Sequence, residues 1–104
     1  MENFNQFSFR KDIVQTLEHI HFHKPTPIQE KVIPLVLHHR DVVGISQTGT
    51  GKTHAFLLPI IQRIDVTKGK VQAVVAAPTR ELAQQIYENA KAFKKYNSDL
   101  RISL

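Results

Sequence analysis

No cysteine occurs in the 104-residue chain, so a disulfide framework and a thiolate nucleophile are excluded, and a structural zinc site of the usual kind lacks its soft ligands. That absence fits a reducing, cytoplasmic setting. Long apolar runs are missing too, each being interrupted by Gly, Pro or polar residues, and Met1 to Gln6 lack a basic start followed by an apolar stretch. Neither a membrane span nor a signal peptide is expected. Internal repeats and low-complexity tracts are absent as well. Acidic residues are the minority, 9 against 14 Lys and Arg, for a formal net charge of +5. A basic balance favours polyanionic partners such as nucleic acid, although a merely basic soluble surface gives the same count.

What is present suits a soluble globular protein: 41% hydrophobic and 22% charged residues. The length allows one small domain but is short for the sheet in which a phosphate-binding loop normally sits, so a part of something larger is expected. Ile13, Leu17 and Ile20 fall at helical spacing within 9–20, with Ser8 available as N-cap. A second helix starts with Thr26 as N-cap, Pro27 at the first position and Gln29 at the third, and runs to about His38, perturbed at Pro34.

The β-branched run 41–45 reads as a buried strand, 52–64 as a helix with a broad apolar face, and 71–77 as a second strand covered on both sides. Residues 79 to about 96 read as a helix whose inner face carries Leu82, Ala83, Ile86, Ala90 and Phe93. Residues 101–104 begin a third strand. The order predicts an α/β fold, a parallel sheet with crossover helices, truncated at its third strand.

Between the first strand and the third helix stand Ser46, Gln47, Thr48, Gly49, Thr50, Gly51, Lys52 and Thr53. This is the pattern of a P-loop. Gly49 and Gly51 let backbone N–H groups approach phosphate oxygens, and the helix N-terminus adds a favourable dipole. Lys52 carries charge to the β- and γ-phosphates, and the Thr53 hydroxyl is the expected Mg²⁺ ligand. Ser46 stands where Gly or Ala is usual, a small departure in size.

Three blocks in order, Lys24-Pro-Thr-Pro-Ile-Gln29, Ser46 to Thr53, and Pro78-Thr-Arg-Glu-Leu-Ala-Gln-Gln85, together resemble the DEAD-box family of ATP-dependent RNA helicases over essentially the whole chain. The resemblance implies the N-terminal part of a RecA-like ATP-binding domain spanning 1–104, with ATP and Mg²⁺ as ligands. Residues 4–29 would be its Q motif, in which Gln29 hydrogen-bonds the adenine edge, Phe4 stacks on the base and Phe22 belongs to the same contact set. Phe7 and Phe9 would then serve packing. His21 stands where the family usually has Gly. For Gln29 a capping box with Thr26 is the alternative role.

Residues 78–85 would be motif Ia, with Pro78, Thr79 and Arg80 touching the RNA backbone without reading sequence. An intramolecular pair with Glu81 or Glu88 is the alternative for Arg80. The acidic Asp-Glu-Ala-Asp block that holds Mg²⁺ and positions water in the family does not occur here. Binding without appreciable turnover is therefore expected of these residues alone. A non-catalytic adenine-nucleotide or RNA-binding module is the competing reading.

Other clusters imply less. His19, His21 and His23 would share one face only on a strand, whereas His19 falls on a helix and His23 in a turn. His38 and His39 read as a solvated helix end. Lys91, Lys94 and Lys95 read as the wet side of the last helix, with a basic patch near RNA as the alternative.

Overall fold

A computed structural model describes residues 3–45 and 51–104. A 3-10 turn at Phe4–Phe7 opens it, followed by α1 (Lys11–His19), α2 (Pro27–Leu37), α3 (Lys52–Arg63) and α4 (Arg80–Lys91). A second 3-10 turn, Ala92–Lys94, continues α4. The long last helix expected from the sequence thus ends sooner and tightens in its final turn, a common way for a helix end to satisfy its carbonyls. No helix among the described residues is long and apolar enough to cross a membrane.

Local chemistry explains where the helices start and stop. Thr26 and Gln29 form a reciprocal capping box at the head of α2, and Thr79 caps α4 by accepting from the Leu82 amide at 3.1 Å. Both α1 and α2 end in the same closure. The Phe22 amide donates to the Leu17 carbonyl at 2.8 Å and His21 to Glu18 at 3.1 Å, while Arg40 donates to Leu35 at 2.9 Å and His39 to Val36 at 3.0 Å. Each pair is a Schellman closure, which needs a left-handed residue after the helix. His21 and His39 fill that role with φ of 63°. The position where the resembling family prefers Gly is therefore left-handed here, occupied by a residue that adopts such a φ at a cost.

Ser8 does not cap α1. It lies at φ 56° and closes the opening 3-10 turn, and Arg10 occupies the N-cap position without a side-chain cap. Arg10 acts further away. Its guanidinium donates to the carbonyls of Ile61 (3.0 Å), Gln62 (2.8 Å) and Ile64 (3.2 Å) while pairing with Asp12 at 3.0 Å. The carbonyls at the end of α3 and at its C-cap Ile64 thus gain donors from the other end of the sequence, Ile61 accepting also from the Ile64 amide at 3.2 Å. Asp12 also accepts from Asn97 Nδ2 at 3.3 Å, drawing in the segment after α4.

The core gathers Phe4, Phe9, Ile13 and Leu17 from the N-terminal segment, Ile33 from α2, Leu57, Leu58 and Ile61 from α3, and Phe93 and Leu100 from the chain's end. α2 and α3 share the most extensive contact among the described elements.

The expected sheet is not formed: among the described residues no strand is present, and 41–45, 71–77 and 101–104 carry no ladder. A strand exists only through hydrogen bonds to a neighbour, and these segments do not pair with one another. Nor are they covered on both sides. Val42 and Gly44 line a groove of about 250 Å³ against α2 and α3, whereas Val43 is 89% and Ile45 90% exposed. Along 71–77 the valines at 71, 74 and 75 all face solvent.

Candidate functional site

A cleft of about 1000 Å³ lies where the turn before α2, the head of α3 and the first turns of α4 meet. Phe22 and Gln29 border it from one side, Gly51, Lys52 and Thr53 from the second, and Leu82 from the third. Thr26 and Gln29 are fixed there by their capping box, with Gln29 Oε1 accepting from the Thr26 amide at 2.9 Å. Gln29 Nε2 donates to the Gly51 carbonyl at 3.1 Å. The side chain is almost sealed, at 1% exposure. A carboxamide offers two donors and two lone pairs, so among the described residues one N–H and one lone pair remain uncommitted.

Gly51 is the hinge of this arrangement. It stands at φ 91°, and a Cβ there would lie 2.5 Å from Gln29 Nε2 and 2.9 Å from Thr26 Oγ1. Only glycine admits this backbone so close to the α2 cap. Among the described residues no side chain caps α3, whose N-terminus opens beside the exposed Lys52 and the half-buried Thr53. Uncapped first-turn N–H groups, an adjacent lysine and a cradle closed to any Cβ suit a polyphosphate. The Thr53 hydroxyl at the same helix head is an oxygen of the kind that would hold Mg²⁺.

Ser46, Gln47, Thr48, Gly49 and Thr50 lie outside the described residues. Phe4 is placed differently from Phe22 and Gln29: it does not border the cleft, and at 5% exposure its ring packs with the core beside Phe7. Pro78, Thr79 and Arg80 are exposed at the head of α4, whose Leu82, Gln85 and Ile86 border the cleft. Among the described residues Arg80 makes no ion pair, and Glu88 accepts instead from Gln84 at 2.9 Å.

A model of the DEAD/DEAH box helicases matches residues 26–104. The chain belongs to this family. The DEAD-box ATP-dependent RNA helicase CshB of Staphylococcus aureus is 43% identical over 97% of this DEAD-box chain, and CshB of Bacillus subtilis 49% over 84%. The chain spans only 22% and 20% of those two relatives. Among solved structures, Saccharomyces cerevisiae Dbp5 bound to RNA and ADP BeF3 superposes with a TM-score of 0.88 at 34% identity, over 93% of this chain and 25% of that one. A DEAD box protein from Methanococcus jannaschii gives 0.83 at 37%, over 90% and 26%.

His54 is the cleft residue that sequence reasoning passed over. It is 7% exposed, and burial pushes its imidazole below the ordinary value, favouring the neutral ring. A signal existed: His54, Leu57, Leu58 and Ile61 recur at the i, i+3, i+4, i+7 spacing of the buried face of α3.

Proposed function

We propose that this chain is the ATP-binding N-terminal portion of an RNA helicase that, complete, couples ATP binding and hydrolysis to the unwinding or remodelling of RNA duplexes. The observation that carries the reading is the Gln29 to Gly51 hydrogen bond, which joins the residue proposed to read the base to the end of the loop proposed to hold the phosphates. Lys52 neutralises phosphate charge, the N–H groups opening α3 orient the phosphate oxygens, and Thr53 gives Mg²⁺ an oxygen. Gln29 donates its spare N–H to an acceptor on adenine and accepts at its spare lone pair, a pattern complementary to the adenine amino edge. Phe22 contributes an apolar wall.

Pro78, Thr79 and Arg80 meet the RNA backbone at the head of α4. Arg80 suits a phosphate because its guanidinium can donate two parallel bonds. Such contacts position RNA without reading its sequence. Mg²⁺ supplies charge neutralisation at the transferring phosphate when bound, and the residues present here bind and orient rather than activate water.

Competition between ATP and GTP tests the reading. Gln29→Ala is expected to erode the preference for ATP while retaining phosphate affinity, and Lys52→Ala to weaken both nucleotides together. Equal loss of ATP and GTP in Gln29→Ala would refute adenine recognition at this residue.

A further inference from the structure

His54 directly follows Thr53 in the first turn of α3, yet its side chain turns away from solvent into an aromatic stack. Its ring lies 4.6 Å, centroid to centroid, from Phe22 at an interplanar angle of 60°, and 6.3 Å from Phe93 at 50°. Phe93 is fully buried in the core, and Phe22 is half-buried at the cleft wall. The three rings therefore run from the core to the edge of the cleft, with His54 in the middle. Phe22 needs such support, because it sits between α1 and α2 in neither helix nor strand, and packing alone fixes its ring. Tilted aromatic pairs at this separation hold a definite geometry, since the edge of one ring meets the face of the other.

We propose that His54 is a positioning residue that holds the Phe22 ring at the angle from which it meets the base of a bound adenine nucleotide. The proposal rests on the reading of the cleft as an adenine site. One turn of α3 then serves both halves of the ligand: Lys52 and Thr53 address the phosphates, and His54 sets the wall against the base. A flat ring is what the position requires, because an aliphatic side chain fills the volume without presenting an edge to Phe22.

The test titrates the chain, with Mg²⁺, against ATP, GTP and inorganic tripolyphosphate, which has the phosphates without the base. Two ringless variants, the apolar His54→Leu and the polar His54→Gln, guard against one of them failing to fold, and far-UV circular dichroism confirms helix content. Each folded ringless variant should bind ATP about 2- to 10-fold more weakly, the strength of one aromatic pair, with tripolyphosphate binding unchanged. His54→Phe, which restores a ring, should recover ATP affinity. Equal losses for ATP and tripolyphosphate, no loss at all, or a failure of His54→Phe to rescue would overturn the proposal. A parent chain that binds ATP no better than GTP overturns the adenine reading and this proposal with it, whereas undiminished ATP affinity in the ringless variants of a parent that does prefer ATP overturns only the role of His54.

Discussion

Replacing Gly51 by alanine should break the contact between the α2 cap and the phosphate-holding helix at a cost that the geometry makes calculable. Three effects coincide. The backbone at φ 91° disfavours any Cβ by about 1–2 kcal/mol. The new methyl would meet Gln29 Nε2 at 2.5 Å and Thr26 Oγ1 at 2.9 Å, and both atoms are tethered by the capping box, so relief requires moving the helix heads at about 1–3 kcal/mol. The Gln29 to Gly51 hydrogen bond would be strained or lost, worth about 1 kcal/mol. Alanine also restricts the unfolded chain, which offsets about 0.4–1 kcal/mol.

The net expectation is a loss of roughly 2–6 kcal/mol for Gly51→Ala. In a Gln29→Ala background the closest clash disappears, so the same substitution should cost about 1–2 kcal/mol less, a coupling typical of residues in contact. Urea unfolding of the parent, both single variants and the double variant, followed by circular dichroism, measures the cycle. Strict additivity, or a Gly51→Ala protein within about 0.5 kcal/mol of the parent, would refute the reasoning.

Other expectations follow from features at a distance from Gly51. Arg10→Ala should lower stability by about 2 kcal/mol by removing the guanidinium donors from the end of α3, and Arg10→Lys should recover only part of it because three donors on a single nitrogen cannot span three carbonyls and the Asp12 carboxylate together; urea midpoints decide. His21→Gly should raise stability by about 1 kcal/mol by releasing a left-handed non-glycine residue, and an unchanged or lowered melting temperature would count against the strain assigned to it. The Asp65 carboxyl is held below its ordinary range, first by the Thr67 hydroxyl at 2.6 Å and then by the Thr67 amide at 3.0 Å. The small stabilisation this gives is present above the ordinary carboxyl pKa and lost as pH falls through the depressed one. An NMR titration should find Asp65 moved upward in Thr67→Val.

How much was legible beforehand depended on how far each interaction reaches along the chain. The head of α2 could be read because Thr26, Pro27 and Gln29 settle it within four positions. Thr79 settles α4 in the same way. Arg10 escaped notice because its carbonyl partners lie some fifty residues later and no short-range rule signals them, while the local rule that favoured Ser8 as a cap met a serine already committed to the turn before it. The β-branched runs were read as strands on composition, but composition cannot supply a pairing partner. Val42 packs while Val43 beside it is bare. In the candidate site the loop and Gln29 stood out through residue type and spacing. The packing of Phe4 into the core did not, because nothing in its own sequence neighbourhood signals which of Phe4, Phe7 and Phe9 the fold buries.

The family match begins at residue 26, yet Phe4, Phe9, Ile13 and Leu17 belong to the shared core and Arg10 ties off α3. Anyone trimming the gene to the boundary of that family match would cut into a folding unit. The resulting protein would leave Phe93 and Leu58 without much of their packing and the end of α3 without its donors. Poor expression of such a trimmed version would then reflect where the scissors fell, and would say nothing about the nucleotide site itself.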